Sequence, residues 1–212
     1  MLDIGLNVSR YDRQMRALDY SRQNGSIDLF GKTVGLVGFG NIARYVAKFL
    51  RGFDVKILAY VRHPDFKAAE ELGVTFVDLD TLARESDYVS LHVPLTDVTR
   101  GMVDIQFFRK MKNTAYLINT CRGGVVVEND LITALQTGEI AGAGLDVYET
   151  SPLKQDSPLL KMENVVHTPY VAFSSVLGNS RTMEMAFESI SDYLAGREIR
   201  RILNPDYIKY KK

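Results

Sequence analysis

Short apolar runs recur along this chain: TVGLVG at 33 to 38, VKILAYV at 55 to 61, VTFV at 74 to 77, YVSLHV at 88 to 93, AYLIN at 115 to 119, AGAGLDV at 141 to 147 and NVVHT at 164 to 168. Most are apolar at consecutive positions, which reads as strands buried on both faces. Helical candidates lie between them at 42–53, 104–111 and 128–137. Strands of this kind alternating with helices call for a parallel sheet covered on each side, which is an α/β doubly wound architecture.

The two ends of the chain read differently. Residues 9 to 23, SRYDRQMRALDYSRQ, space Tyr11, Met15, Leu18 and Tyr20 at helical intervals among charges, with Ser9 as the cap and NGS at 24 to 26 as the stop. Ser174 to Leu194 is a long helical pattern with Val176, Met183, Ala186, Phe187, Ile190 and Leu194 along one side. Beyond Gly196 the basic, tyrosine-bearing tail REIRRILNPDYIKYKK reads as a loose surface end, with a partner contact as the alternative. The expected organisation is an N-terminal helix over 1–26, a central domain over 27–173, and a C-terminal helix with its tail over 174–212.

Composition excludes several classes of function. The 26 basic side chains balance the 26 acidic ones, so no net field recruits nucleic acid or an acidic membrane. The single cysteine, Cys121, allows no internal disulfide, and neither CxxC nor histidine-rich spacing suggests a structural metal. The first residues lack a basic stretch leading into an apolar one, and no membrane-length apolar run follows. The expectation is a soluble cytoplasmic protein.

The sharpest local feature is GFGNIA, Gly38 to Ala43, which follows a strand and opens a helix. A tight glycine turn there points backbone N–H groups outward and can hold a pyrophosphate at the helix N-terminus. Ala43 stands where the fingerprint accepts either glycine or alanine. An acidic residue at the end of the next strand would bind ribose hydroxyls. Here that end reads AYVRHPD. Val61 cannot accept those bonds, whereas Arg62 and His63 can meet a 2′-phosphate, which favours NADP over NAD. Arg62 reads otherwise as a solvated loop charge.

NTCRGG, 119 to 124, places Arg122 and two glycines at the carboxyl end of a strand, where ligands of such sheets sit. A guanidinium there suits a carboxylate, because its planar fork binds bidentately. Asp146 ends the strand AGAGLDV in the same way. Arg122 and Asp146 could also pair with each other or cap loops.

LFGKTVGLVGFGNIA, VSLHVPLTDVTRGM, MKNTAYLINTCRGGVVVENDLITALQTGEIAGAGLDVYE and ENVVHTPY, in this order, resemble the D-isomer-specific 2-hydroxyacid dehydrogenases over about residues 27 to 203. The resemblance implies a Rossmann-type NAD(P)-binding domain that dimerises partly through the helix at residues 8–22. It implies that Gly38, Gly40, Asn41 and Ile42 line the pyrophosphate, and that Val61 and Arg62 meet the adenosine ribose. Val93, Pro94 and Thr99 would line the adenine and ribose side. Thr120, Cys121 and Asp146 would approach the nicotinamide half, and Arg122 would serve both the cofactor cleft and the substrate carboxylate. The implied activity is hydride transfer between NADP or NAD and a small 2-oxo or 2-hydroxy acid.

Two positions depart from the family pattern. The histidine expected to donate the proton falls on Tyr170, and the glutamate expected to orient it falls on Ser151. Serine cannot charge an imidazole, and tyrosine, with a reference pKa near ~10, is a poor proton shuttle at neutral pH. Glu149 and His167 are the nearby substitutes. Strand alternation puts His167 on the opposite face from Tyr170. The family also implies about a hundred residues ahead of the helix at 8–22, forming a substrate domain that closes over the nicotinamide. Only some 30 residues precede the GKTVG strand, so unless this is a fragment the cleft has one wall. The alternative function is a non-catalytic dinucleotide-binding or interaction protein, with Arg122 and a tentative Tyr170 as the catalytic candidates of the first reading.

Overall fold

A computed structural model describes residues 1–21 and 25–199. The chain divides into two compact units, Met1–Tyr170 and one that starts at Val171.

All seven apolar runs form strands: β1 Thr33–Val37, β2 Lys56–Tyr60, β3 Val74–Phe76, β4 Tyr88–Leu91, β5 Tyr116–Asn119, β6 Gly142–Leu145 and β7 Val165–His167. Every pair is parallel, in the order β3-β2-β1-β4-β5-β6-β7. The order reverses between β1 and β4, and the crevice outside the carboxyl ends of such neighbours is where this architecture takes ligands.

Two-sided burial follows from the alternation within each strand. Val34, Leu36, Tyr88, Tyr116 and Ile118 enter one apolar cluster, and Val37, Val89, Leu91 and Leu117 enter the other. The first cluster is closed by α1 Leu2–Leu6 through Ile4, by α3 Asn41–Leu50 through Ala43 and Ala47, and by α4 Phe66–Leu72 through Ala69. The second is closed by α5 Leu79–Glu85, α6 Ile105–Phe108 and α7 Glu128–Thr137. Ala43 is completely buried, which is why a small residue is needed where the fingerprint sets helix against strand.

The N-terminal helix is shorter than its periodicity suggests. α2 spans Val8–Arg16 and stops as Leu18 turns left-handed at φ 55°. Ser9 lies inside it, and its amide and hydroxyl both donate to the Asp3 carboxylate, at 2.7 and 2.6 Å. Asn24 of the expected stop lies outside the described residues. In the second unit, α8 covers Val176–Leu194, capped by the Ser175 hydroxyl accepting from the Gly178 amide at 2.9 Å. Its side read as apolar, including Val176, Met183, Phe187, Ile190 and Leu194, is exposed. The tail from residue 200 onward lies outside the described residues. No helix among the described residues is long and apolar enough to cross a membrane.

Candidate functional site

The glycine turn sits where the strand order reverses. Gly38 donates its N–H to the Tyr60 carbonyl at 2.8 Å and adopts φ 99°, a left-handed conformation that favours glycine. A Cβ at Gly38 would lie 2.6 Å from the His92 carbonyl oxygen, so the turn is wedged between the ends of β2 and β4. Gly40 is the N-cap of α3 and makes no side-chain cap, and nothing lies within 4 Å of where its Cβ would be. Asn41 and Ile42 open the helix and are exposed. The first N–H groups of α3 therefore face open space with the positive end of the helix behind them, a geometry that fits a pyrophosphate.

Beside this turn is a feature the sequence did not reveal. Arg44 lies over the Phe39 ring at 5.3 Å, donates from Nε to the Phe39 carbonyl at 3.3 Å and from Nη2 to the Asp65 carboxylate at 2.9 Å. Asp65 in turn caps α4 by accepting from the Ala68 amide at 3.1 Å. That amide, with Arg44, holds the Asp65 carboxyl below its usual range. The acidic residue sought at the end of β2 is thus present four positions past Val61, but it is already committed to a cap and a cation. Val61 is half-buried against the first cluster, and Arg62 and His63 are exposed.

On the far side of the crevice, Val93 packs on the second cluster and Pro94 is exposed. Thr99 folds its hydroxyl onto the Pro94 carbonyl at 2.6 Å and accepts from the Thr96 amide at 2.8 Å, which fixes the loop after β4. Within β4 and just past it, Ser90 and His92 meet at 3.0 Å between Oγ and Nε2. Burial pushes the His92 pKa down to about 4.

The NTCRGG turn is built by Asn119, which sequence reading passed over. Its buried amide donates to the Arg122 carbonyl at 3.1 Å, and its Oδ1 accepts from the Cys121 amide at 3.1 Å and thiol at 3.2 Å. An asparagine ending a strand is an Asx-turn signal, so the feature was available in the sequence. Thr120 is exposed, and Cys121 is half-buried with its thiol pKa pushed up by burial. Arg122 is exposed and donates from Nη1 to the Cys121 carbonyl at 2.6 Å. Any side chain at Gly123 would collide with the Tyr148 carbonyl, so this turn and the loop after β6 approach through glycine.

Asp146 joins three strand ends. Its amide donates to the Asn119 carbonyl at 2.9 Å, its carbonyl accepts from the Tyr170 amide at 3.0 Å, and its buried carboxylate accepts from the Thr168 hydroxyl at 2.5 Å. Arg122, Asp146, Ser151, His167 and Tyr170 all line one cavity of about 650 Å³ at the carboxyl ends of β5, β6 and β7.

Two expectations about stand-ins meet this geometry. His167 and Tyr170 share the cavity instead of facing opposite ways, because β7 ends at His167 and the chain turns through Thr168 and Pro169 to Tyr170 at φ 58°. Both His167 nitrogens are engaged: Nε2 donates to the Leu159 carbonyl at 3.0 Å, and Nδ1 meets the Tyr148 hydroxyl at 3.0 Å. Glu149 is directed to α7, where its carboxylate accepts from the Glu128 amide at 3.2 Å and the Glu128 carboxylate accepts from the Glu149 amide at 3.1 Å.

Residues 1–172 match the family model described as D-isomer specific 2-hydroxyacid dehydrogenase, NAD binding domain. A glyoxylate reductase of Korarchaeum cryptofilum is 45% identical over 186 residues, covering 87% of this chain and 55% of that protein. A D-3-phosphoglycerate dehydrogenase of Archaeoglobus fulgidus is 36% identical over 205 residues, 96% of this chain and 39% of that protein. The crystal structure of a D-lactate dehydrogenase with NAD+ from Lactobacillus jensenii superposes with a TM-score of 0.85 at 29% identity, over 95% of this chain and 65% of that one. The chain spans about half the length of the glyoxylate reductases it matches.

Proposed function

The chain belongs to the D-isomer-specific 2-hydroxyacid dehydrogenase family through its NAD-binding domain, and from that premise we propose that it serves hydride transfer between NAD(P) and a small 2-oxo or 2-hydroxy acid. The observation that carries this reading is the Gly38 turn, wedged under the His92 carbonyl at the sheet's reversal point and opening onto a helix end with no side-chain cap. A dinucleotide held at that turn would supply or accept the hydride at its nicotinamide ring.

The side chains divide the remaining work. Gly38, Gly40, Asn41 and Ile42 hold the pyrophosphate, and Val61 and Arg62 face the adenosine ribose, with Arg62 favouring NADP. Val93, Pro94 and Thr99 wall the adenine and ribose side. Thr120, Cys121 and Asp146 border the nicotinamide half. Arg122 holds the substrate carboxylate and polarises the carbonyl, and the Tyr170 hydroxyl is the proton source. A second copy of the chain is the proposed partner, docking through residues 8–22, of which α2 is the described helical part.

A second reading, a non-catalytic dinucleotide-binding or interaction protein, is favoured by one observation. Ser151 and Tyr170 line the cavity at the positions where the family resemblance implies a glutamate and a histidine. Losing positioned general acid catalysis lowers a rate by about 10²–10⁴.

Calorimetric titration of the 212-residue chain with NADPH and separately with NADH tests the common premise. Micromolar binding, tighter for NADPH, is the expected result. Hydride transfer to 2-oxo acids then separates the two readings. No binding of either cofactor overturns the first reading and the dinucleotide-binding form of the second, and leaves an interaction protein.

A further inference from the structure

The Arg44 guanidinium stands at the rim of the crevice where the strand order reverses, held there by three contacts. Arg44 belongs to the first turn of α3, its amide donating to the Gly40 carbonyl at 3.0 Å. Helix side chains lean toward the N-terminus, and this one reaches back to Phe39, the middle residue of the glycine turn. Nε donates to the Phe39 carbonyl at 3.3 Å, and the guanidinium carbon lies 5.3 Å from the ring centroid. Phe39 gives it a fixed base, being buried and packed edge-on against Phe76 with centroids 5.4 Å apart. The third contact is Nη2 on the Asp65 carboxylate at 2.9 Å.

Those bonds set Arg44 between the glycine turn and the loop that carries Arg62. The loop, residues 61–65, starts beside Tyr60, whose carbonyl accepts from the Gly38 amide at 2.8 Å. It ends at Asp65, which Arg44 ties to the residue after Gly38. Both ends of the loop bearing Arg62 and His63 are thus anchored to one turn.

The guanidinium is only partly used. It has five N–H donors, and Nε and Nη2 make its two hydrogen bonds among the described residues. Both N–H groups of Nη1 are left for a ligand, and 37% of the side-chain surface is in solvent. An exposed ion pair contributes little to stability, so bracing α4 against α3 is a weak reason for the arrangement. Asp65, kept ionised by the Ala68 amide and then by Arg44, is a fixed negative charge three residues from Arg62. A phosphate arriving beside Arg62 is attracted by Arg44 and repelled by Asp65. NADH carries a neutral hydroxyl in that place and is nearly indifferent to both.

We infer that Arg44 is a second specificity-determining cation for the 2′-phosphate of NADP, working beside Arg62, and that Asp65 restrains it. The inference deepens the cofactor reading proposed above and rests on it for the adenosine end of the crevice.

Calorimetric titration of the whole chain with NADPH and NADH, and with the fragments 2′,5′-ADP and 5′-AMP, tests this. Arg44→Gln should weaken NADPH and 2′,5′-ADP by about ten-fold, the loss of one guanidinium–phosphate contact of roughly 1.4 kcal/mol, and leave NADH and 5′-AMP within about two-fold. Arg44→Lys, a charge without the planar fork, should recover part of that loss. Asp65→Asn keeps a good cap on α4 and should strengthen NADPH by about three-fold. Equal losses for both cofactors in Arg44→Gln would put Arg44 on the pyrophosphate. Unchanged NADPH affinity in that variant, or unchanged or weaker NADPH binding in Asp65→Asn, would make the pair a brace for α4. Each of these overturns the inference and leaves the cofactor reading standing. A wild-type chain that binds neither cofactor nor 2′,5′-ADP overturns that reading and the inference with it.

Discussion

Thr168 donates its hydroxyl hydrogen to the Asp146 carboxylate across 2.5 Å, from just past the end of β7 to just past the end of β6. The carboxylate is almost completely buried, so a partner removed here is not replaced by water. Thr168→Val keeps the shape of the side chain and removes the donor. The expected loss is about 1.5–3 kcal/mol of stability, the usual range for a hydrogen bond to a charged group, read as a shift in the urea midpoint. A loss below about 0.5 kcal/mol would mean that Asp146 does not depend on Thr168.

Tyr170 reaches the same residue by its backbone, donating its amide to the Asp146 carbonyl at 3.0 Å while held at φ 58°. A left-handed residue other than glycine carries a local cost of about 1 kcal/mol or more. Tyr170 is 51% exposed, so truncation to alanine or to glycine forfeits the same partial burial. Tyr170→Gly is therefore expected to be about 1 kcal/mol more stable than Tyr170→Ala, which keeps the strain. Equal melting temperatures for the two variants would remove the strain argument. In the enzymatic reading, both variants lose the proton source and bind NADPH unchanged.

The sheet was legible because a parallel strand buried on both faces leaves a continuous apolar run, and all seven runs became strands. α7, Glu128–Thr137, lies where its pattern placed it. α4 and α5 were not assigned, since FKAAEEL and LDTLARE bury only Ala69 in one and Leu82 and Ala83 in the other. Their caps, Asp65 and Asp78, were the available signal. The site was legible wherever backbone geometry dictates residue type, as at Gly38. It was not legible where residues far apart in sequence meet: Arg44 with Asp65, and Tyr148 with His167. Strand alternation failed for His167 and Tyr170 because it does not extend past the end of β7.

Selection between cofactors is expected to rest on Arg62, exposed just past the end of β2. Arg62→Ser should lower NADPH affinity by about ten-fold, the equivalent of one solvated guanidinium–phosphate contact of roughly 1.4 kcal/mol, and leave NADH unchanged. Because such a contact is screened, the wild-type advantage of NADPH should also shrink between low and physiological salt. Equal losses for both cofactors would assign Arg62 to the shared part of the molecule.

His92 makes the fold acid-sensitive. Its pKa falls from about 6.5 unfolded to about 4 folded because burial disfavours the imidazolium. Below about pH 6.5 the unfolded chain binds a proton that the folded chain does not. The stability present at neutral pH is therefore lost as pH drops toward 4. At pH 4.5 this amounts to about 2–3 kcal/mol. His92→Gln keeps a polar group near Ser90 and has no proton to take up. Urea midpoints at pH 7 and pH 4.5 should fall by that much less in the variant than in the wild type, and parallel losses would place the acid sensitivity elsewhere.

The proposed dimer makes a separate demand on the N-terminal segment. Met15, Leu18 and Tyr20 are exposed on or just after a nine-residue helix, α2, in which no residue is buried. The helix is tied to its own chain by the Ser9–Asp3 bonds and by the Arg10–Glu163 ion pair at 3.0 Å, while Met15 and Leu18 stay uncovered. A second copy covering Met15 and Leu18 would supply that burial. Analytical ultracentrifugation at micromolar concentration is expected to show a dimer. The pair Met15→Lys and Leu18→Lys is expected to shift it to monomer, since each lysine would have to be buried at the contact. NADPH binding should survive in that variant, because the Gly38 turn is built by β1, β2 and β4 of one chain. A wild-type chain that sediments as a monomer at these concentrations would refute the dimer, and a variant that stays dimeric would move the interface to another face.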